Sequence, residues 1–268
     1  MILASDSLPG LSLSLTLAAA VGYLVPAVAL VRREPAARLV ALLAWLLHAA
    51  LLVRGFSGDT AHFGFASALS VTAWMIAAVV AVESHYYPQL KIRWSLCLLG
   101  SAVVLLAQFF PGGRLPASTS VWLPLHWALG IASYGLFGVA VAHAWYMGRT
   151  EQRMRQATSL GDGMPLLTIE RLTFRFVGAG FVLLSATLLV AFAFRESLYG
   201  PGVALRWDHK TIFSVLSWLT FAALLLGRAR FGWRGRRAVR MLYAGAGLLF
   251  LAYVCSRFVL EVVLGRVP

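Results

Sequence analysis

Long apolar runs separated by short polar segments make up almost the whole chain. A transmembrane helix needs about 20 mostly apolar residues, and runs of that size recur from one end of the sequence to the other. The segments between them carry turn and charge signals, as in Pro111-Gly112-Gly113-Arg114. The pattern predicts an all-α polytopic membrane protein, a bundle of eight transmembrane helices that forms one integral membrane domain over residues 1–268. The predicted spans lie near residues 11–31, 36–53, 61–82, 92–110, 120–147, 172–194, 211–227 and 238–263.

The composition agrees with this pattern. The chain is 60% hydrophobic and 12% charged, and its mean hydropathy is +0.80. A soluble domain carries roughly a quarter charged residues, so the composition excludes a soluble globular protein of this length. The functional question is therefore what the few polar groups in and near the membrane do.

The basic residues gather in alternate loops, which predicts an orientation. Under the positive-inside rule, loops rich in Lys and Arg face the cytoplasm. Of the 23 basic residues, 16 fall in one set of loops, so we expect both termini and the loops at 54–60, 111–119 and 195–210 to be external. The net charge of +13 then reflects this topology and contact with anionic lipid, and we expect no nucleic-acid partner.

The two cysteines, Cys97 and Cys255, show neither CxxC nor CxxCH spacing. That argues against thiol exchange and against covalent haem attachment to this chain. We expect both to act as small apolar side chains in the bilayer.

Four of the six histidines fall toward the predicted outer face, and they are His48, His62, His126 and His209. Three of them open predicted helices, whereas His48 lies about one and a half turns below the outer end of the second one. Neutral imidazole is a common ligand of haem iron, zinc and copper. The four could surround one cofactor, or each could cap a helix end or pair with a carboxylate, and the sequence leaves both open.

The remaining histidines, His85 and His143, fall toward the predicted inner face. His143 is followed by Trp145 and Tyr146, a combination typical of an interfacial aromatic belt. We expect both histidines to lie at the membrane–water interface.

The segment Arg206-Trp207-Asp208-His209-Lys210 enters a predicted helix from an external loop. Asp208 stands where a carboxylate can accept backbone N–H bonds and suits the helix dipole. Arg206 and Lys210 can pair with an anionic group, and Trp207 can lie flat on a planar ligand or anchor in the headgroups. The segment is also typical of a well-capped helix start at the interface.

Together with Ser217-Trp218 and the stretch 230–238, this segment resembles the haem-handling cytochrome c assembly membrane proteins of the CcsA, ResC and CcmC type. Upstream, Trp122-Leu123-Pro124-Leu125-His126 is similar to the family's helix that opens with an external haem-ligand histidine. The resemblance covers roughly residues 60–263 and is closest to the short YpjD and HemX type of inner membrane protein.

The chain departs from the family pattern in three places. Residues 195–206 contain no tryptophan, His209 replaces the proline that follows the aspartate, and residues 251–268 contain no second external histidine. The resemblance thus implies His126 as an axial ligand but supplies no partner for it. By side of the membrane, His209 is the nearest substitute, and this assignment is our own inference.

The resemblance implies a haem-handling protein of the bacterial inner membrane, with haem b near the outer leaflet and with cytochrome-maturation or haem-biosynthesis proteins as partners. His126 and His209 would hold the iron, Trp207 would face the ring, and Arg206 and Lys210 would pair with the propionates. Asp208, His48 and His62 complete the candidate site. Arg257, in the last predicted helix, could pair with a propionate, with backbone carbonyls or with Glu261 one turn on.

Two other functions remain open. One is a cofactor-free regulatory or scaffolding membrane protein that acts through its basic inner loops. The other, less favoured, is a small-solute transporter, because transporters usually show internal repeats and polar residues near the midplane. The chain shows no clear repeat, and its carboxylates fall at predicted helix ends or loops. The sequence does not identify an enzymatic activity.

Overall fold

The computed structural model describes residues 9–27, 34–56, 62–86, 93–114, 122–156, 165–196 and 208–265. Within these ranges each helix overlaps one of the predicted apolar runs, which confirms the all-helical fold class. The helices are α1 (Pro9–Ala27), α2 (Glu34–Phe56), α3 (Phe65–Tyr86), α4 (Arg93–Phe109), α5 (Trp122–Arg155), α6 (Leu166–Ala193), α7 (His209–Phe231) and α8 (Gly235–Val263). Two short strands, β1 (His62–Phe63) and β2 (Gly113–Arg114), pair antiparallel.

Six of these helices, α2, α3 and α5–α8, are long and apolar enough to cross a membrane. The other two contain shorter apolar segments, Ser12–Ala27 in α1 and Leu96–Phe109 in α4. The outward faces of the long helices carry large apolar side chains, such as Leu39 and Val53 on α2 and Leu189 and Phe192 on α6. Such surfaces suit lipid rather than water, so the chain is a membrane protein.

The helices form two packed groups that α3 joins. In the first group, α1, α2 and α4 share a small apolar core around Tyr23 and Ala44. In the second group, α5–α8 bury a larger core in which the rings of Phe137 and Phe221 stack 3.9 Å apart. Helix α3 contacts both α4 and α5 and so connects the groups.

Two tryptophans fasten α2 to α3. The rings of Trp45 and Trp74 stack with centroids 4.5 Å apart. Each indole Nε1 donates to the backbone carbonyl of the other residue, at 3.1 Å and 3.2 Å. Because a buried indole N–H needs an acceptor, this reciprocal arrangement satisfies both donors while it fixes the two helices side by side.

Helix α8 is not a uniform α-helix. Its last part contains two π-helical turns, Leu251–Cys255 and Val259–Val263, on either side of Ser256–Phe258. A π turn widens the helix and changes the direction of the side chains that follow it, and such turns are frequent at functional sites. The turns lie where α8 reaches the predicted outer end of the bundle.

Candidate functional site

Two of the three predicted outer loops come together at the β1–β2 pair. In its register His62 lies opposite Arg114 and Phe63 opposite Gly113. Gly112 has a φ of 86°, a value that favours glycine, and lets the second loop turn toward the first. A Cβ on Gly64 would lie 2.6 Å from both Glu261 Oε2 and Gly112 Cα, so the backbones at Gly64 and Gly112 leave no room for a side chain, and the Glu261 carboxylate of α8 reaches the same point.

The position of His62 corrects one sequence-based expectation. His62 was expected to open the third helix, but it lies in β1, and α3 begins only at Phe65. The physical reason is that the backbone of residues 62–63 hydrogen-bonds to β2 and is therefore extended rather than helical. Its side chain lines a cavity among α1–α4 together with His48.

His126 lies in the first turn of α5, half-buried against α6. Its Nδ1 atom is 3.2 Å from the backbone carbonyl oxygen of Thr187. A carbonyl can only accept, so Nδ1 carries the hydrogen, and in the neutral imidazole the lone pair resides on Nε2. A hydrogen bond of this kind fixes both the tautomer and the ring orientation, as it does for histidines that ligate metals.

Aromatic rings connect the neighbourhood of His126 to α8. The Trp127 ring stacks on Phe63 with centroids 5.6 Å apart. Phe63 in turn contacts Tyr253 of α8 at 6.1 Å. The short strand β1 therefore provides an apolar bridge between the start of α5 and the π-helical part of α8.

At the start of α7 the sequence prediction of a helix cap is confirmed. Asp208 Oδ1 accepts from both the backbone N–H and the hydroxyl of Thr211, each at 2.9 Å. Asp208 is the N-cap of α7, so its carboxylate stabilises the helix start. The two residues before it, Arg206 and Trp207, lie outside the described residues.

His209 reaches across to α8. Its Nε2 atom lies 2.8 Å from Ser256 Oγ, between the two π-helical turns. The hydrogen bonds of the two predicted iron ligands therefore go to different helices, that of His126 to α6 and that of His209 to α8. In the described part of the chain no three His, Cys, Asp or Glu side chains are grouped so that they could hold a metal ion by themselves.

A cluster of charges lies beside His209. Arg257 Nη1 is 3.8 Å from Glu261 Oε1, and the backbone N–H of Phe65 donates to Glu261 Oε2 at 3.4 Å. Lys210 lies close enough to interact with the charges of both. Among the described residues, Arg257 Nε and Glu261 Oε1 are buried and have no hydrogen-bond partner. The Asp208 carboxylate also interacts with Lys210, so the cluster holds two cations and two carboxylates, with an unused N–H donor at Arg257.

His48 is only 1% exposed and lies within α2. Its Nε2 atom is 2.7 Å from Ser70 Oγ and its Nδ1 atom is 3.3 Å from the Tyr23 hydroxyl. Since both ring nitrogens have partners on neighbouring helices, this histidine joins α1, α2 and α3. Its predicted role at a cofactor stays a prediction.

At the other end of the bundle, His143 differs from the expectation. It was assigned to the membrane interface, yet it is fully buried, and its Nε2 atom lies 2.9 Å from Glu83 Oε2. The reason is that α5 extends to Arg155, well beyond the predicted end of its span, so His143 lies among helices rather than at their ends.

Several contacts of the site were not found from the sequence. Thr187, Phe63, Tyr253 and Ser256 carry no motif, and each enters the site only through a neighbour on another helix. The one local signal was Gly64 between Phe63 and the start of α3, since a glycine allows backbones to approach closely.

Known proteins show the same family relationship. The family model described as Cytochrome C assembly protein matches residues 35–264. An uncharacterized 28.8 kDa protein of Azospirillum brasilense is 32% identical over 235 residues, covering 80% of this chain and 85% of that protein. The inner membrane protein YpjD of Escherichia coli K12 is 28% identical over 221 residues, which is 81% of either chain.

A cytochrome c biogenesis protein CcsA of Synechococcus sp. CC9902 is 24% identical over 250 residues, again 81% of either chain. No solved structure matches the chain significantly. The resemblance indicated by the motifs around His126 and His209 is thereby confirmed. Because the family model spans most of its length, the chain belongs to the Cytochrome C assembly protein family.

Proposed function

We propose that the protein binds haem b near the outer leaflet of a bacterial inner membrane, with His126 as an axial ligand, and acts in cytochrome c maturation. The observation that carries the proposal is the hydrogen bond from His126 Nδ1 to the Thr187 carbonyl. It leaves Nε2 as the ligating nitrogen and holds the ring in place before any iron arrives. Family membership and the CcsA-type relative support the maturation role.

His209 is the proposed second ligand. Its Nε2 atom is engaged by Ser256 Oγ, so it would bind iron through Nδ1, or through Nε2 after the serine bond is released. The serine hydroxyl can both donate and accept, so it suits either arrangement. If iron binds through Nδ1, Ser256 would orient the His209 ring by its hydrogen bond to Nε2, as the Thr187 carbonyl orients His126.

The charged cluster fits the propionates of a porphyrin. Lys210 and Arg257 provide two cations, and the buried Nε of Arg257 has no acceptor among the described residues. A carboxylate placed there would satisfy that donor. Arg206 and Trp207 keep their predicted roles as a second propionate partner and as the aromatic that faces the ring.

Bound haem would supply an iron centre. It would either be transferred to cytochrome-maturation or haem-biosynthesis partners or regulate them. The protein's own residues would bind and orient the group. Trp127, Phe63 and Tyr253 would form its apolar surroundings, and the cations would fix which edge faces the solvent. Binding of this kind needs no covalent bond between haem and the chain, which agrees with the absence of a CxxCH motif.

The haem proposal is tested by the absorption spectrum of the detergent-purified full chain, as isolated and after addition of haem. The wild type should show a Soret band and split reduced bands, as expected for two histidine ligands. His126→Ala should lose this signature, and added imidazole should restore part of it. His209→Ala should change the axial ligation. His85→Ala, an exposed histidine at the other end of the bundle, is the matched control and should keep the wild-type spectrum.

A cofactor-free regulatory or scaffolding protein is the second candidate. It is favoured by the hydrogen bonds of His209 and Asp208, which already have partners within the protein. If no Soret band appears at any haem loading, this second function is the better explanation. The haem proposal would then be abandoned.

The same proposal includes a membrane arrangement: one integral domain over residues 1–268, with α1–α8 all crossing the bilayer and both termini outside. The distribution of basic residues supports it. Fusions of alkaline phosphatase after residue 268 and in the 111–119 loop should be active, and a fusion in the 157–164 loop should be inactive. The reverse pattern would overturn the orientation.

A further inference from the structure

A cavity lies among α1, α2, α3 and α4, apart from the proposed haem ligands. Its volume is about 340 Å³, which is within the range of small-molecule sites. Apolar side chains such as Leu51, Val104 and Ala107 form part of its wall, and polar groups of α1–α4 and of β1 line the rest. It lies toward the predicted outer end, where Arg54 and Pro111 form part of the lining.

Ser70, the first polar group in the cavity, is the last member of a chain of hydrogen bonds that begins at Tyr23. Tyr23 is 3% exposed, and its hydroxyl has His48 Nδ1 as its partner among the described residues. A buried hydroxyl hydrogen needs an acceptor, so Tyr23 donates to Nδ1 and His48 Nε2 carries the other hydrogen. Nε2 then donates to Ser70 Oγ at 2.7 Å. The hydroxyl hydrogen of Ser70 is left to donate into the cavity that Ser70 lines.

The second polar group is Gln108 of α4. Its Oε1 atom accepts from Ser12 Oγ at 3.2 Å and from Thr16 Oγ1 at 2.9 Å. With the carbonyl oxygen used twice, the amide nitrogen keeps both of its hydrogens for another acceptor. Gln108 also lines the cavity, so two different helices present hydrogen-bond donors to it.

The lining combines hydrogen-bond donors, including the Arg54 guanidinium, with apolar side chains, and it contains no carboxylate among the described residues. A ligand that fits it carries oxygen atoms that accept hydrogen bonds and an apolar part that can lie against Leu51, Val104 and Ala107. His48 cannot ligate haem iron in this arrangement, because both of its ring nitrogens are already engaged.

We propose that the cavity among α1–α4 binds the head group of a membrane quinone, with Ser70 Oγ and Gln108 Nε2 donating to its carbonyl oxygens. A quinone carries two carbonyl acceptors on a flat apolar ring, and its tail can stay in the lipid. The Tyr23–His48–Ser70 chain then acts to orient the serine donor. This site makes no use of the proposed iron ligands His126 and His209.

The test uses the full chain in lipid nanodiscs and decylubiquinone as the probe. Binding is followed by quenching of the intrinsic tryptophan fluorescence, against empty nanodiscs that report partition into lipid alone. The wild type should show saturable quenching. Ser70→Ala and Gln108→Leu should each weaken binding about fivefold or more, the usual effect of losing one hydrogen bond.

Two further variants separate a lost site from a damaged fold. Ala107→Phe fills the cavity without removing a polar group, and it should abolish saturable binding while the chain keeps its thermal unfolding midpoint. Ser133→Ala is the matched control, because this buried serine donates only to Gly130 O within its own helix. It should bind the quinone as the wild type does.

Three outcomes would overturn the proposal. Quenching that does not saturate beyond the empty nanodiscs means that the chain has no quinone site. Equal affinity in the wild type and Ala107→Phe means that the probe binds elsewhere. Loss of the Soret band in Ala107→Phe, with the band retained in Ser133→Ala, means that the cavity holds haem instead.

Discussion

Nε2 of His143 lies 2.9 Å from Oε2 of Glu83, and both side chains are buried between α5 and α3. The second carboxylate oxygen of Glu83 and Nδ1 of His143 have no hydrogen-bond partner among the described residues. Each residue therefore depends on the other for its polar contact within the bundle. The pair links α3, the helix that joins the two groups, to the core of the second group.

Removal of one partner should destabilise the fold. Glu83→Ala leaves His143 buried without its partner, and we expect a loss of roughly 1–5 kcal/mol in the free energy of unfolding. The measurement is denaturant-induced unfolding in detergent, followed by circular dichroism. Glu151→Ala, which breaks the exposed pair with Arg155, is the matched control and should cost at most about 1 kcal/mol.

The double variant Glu83→Met with His143→Leu sharpens this prediction. It replaces both polar groups by apolar ones, so no buried group is left unpaired, and it should be less destabilised than Glu83→Ala. If the double variant were less stable than Glu83→Ala, the pair would stabilise the fold through something other than the hydrogen bond between its two side chains.

Helix α8 should not tolerate a side chain at Gly245. A Cβ there would lie 2.8 Å from Cζ of Phe221, whose ring is fixed by its stack on Phe137. Gly245→Ala should cost about 1–3 kcal/mol through overpacking. Gly247→Ala, two residues away with nothing within 4 Å, should be neutral or stabilising by up to about 1 kcal/mol. Thermal unfolding of the two variants side by side decides the matter; similar midpoints would contradict the close packing.

Variants of Asp208 can separate its role as the cap of α7 from any role in haem binding. Asp208→Ala removes the acceptor for Thr211 and should cost about 0.5–2 kcal/mol of stability. Asp208→Asn keeps an acceptor oxygen, so its unfolding midpoint should stay close to that of the wild type. Haem titration of the same variants supplies the second readout. A weaker haem affinity in Asp208→Asn at unchanged stability would show that the negative charge itself takes part in the site.

Lys210 should contribute to haem affinity through its charge. If Lys210 and Arg257 receive the propionates, Lys210→Gln should weaken haem binding about tenfold, the effect of losing one charge-assisted hydrogen bond. The loss should shrink as the salt concentration rises, because screening already weakens the interaction in the wild type. Arg230→Gln, an exposed cation at the opposite end of the same helix, is the control and should bind haem normally. Equal affinities of the two variants would count against propionate pairing at Lys210.

The local part of the candidate site was predictable because its signals lie close together in the sequence. Asp208 and Thr211 lie within one helical turn, so the cap could be inferred from residue types alone. The Arg257–Glu261 pair has the spacing that places two side chains on one helix face, and it was one of the alternatives considered. His126 was identified because its helix start resembles a known family.

The contacts that give these residues their chemistry were not predictable. His126 meets Thr187, His209 meets Ser256 and the Phe65 N–H meets Glu261, and each pair is far apart in the sequence. The extended backbone of His62 follows from a partner strand at Gly113, which a local pattern cannot reveal. The burial of His143 was missed for the same reason, since its neighbour Glu83 belongs to another helix.

The sequence by itself determined the membrane class, the approximate helix positions, the cap of α7 and the family, because these depend on hydrophobic runs and short motifs. Only the tertiary structure decided which helices are neighbours, where α8 adopts π-helical turns and which groups line the cavity beside His48. The reason is that lipid, and not water, surrounds these helices. A helix that faces lipid is apolar nearly all round, so its sequence carries little of the polar–apolar periodicity that would indicate which face meets a partner.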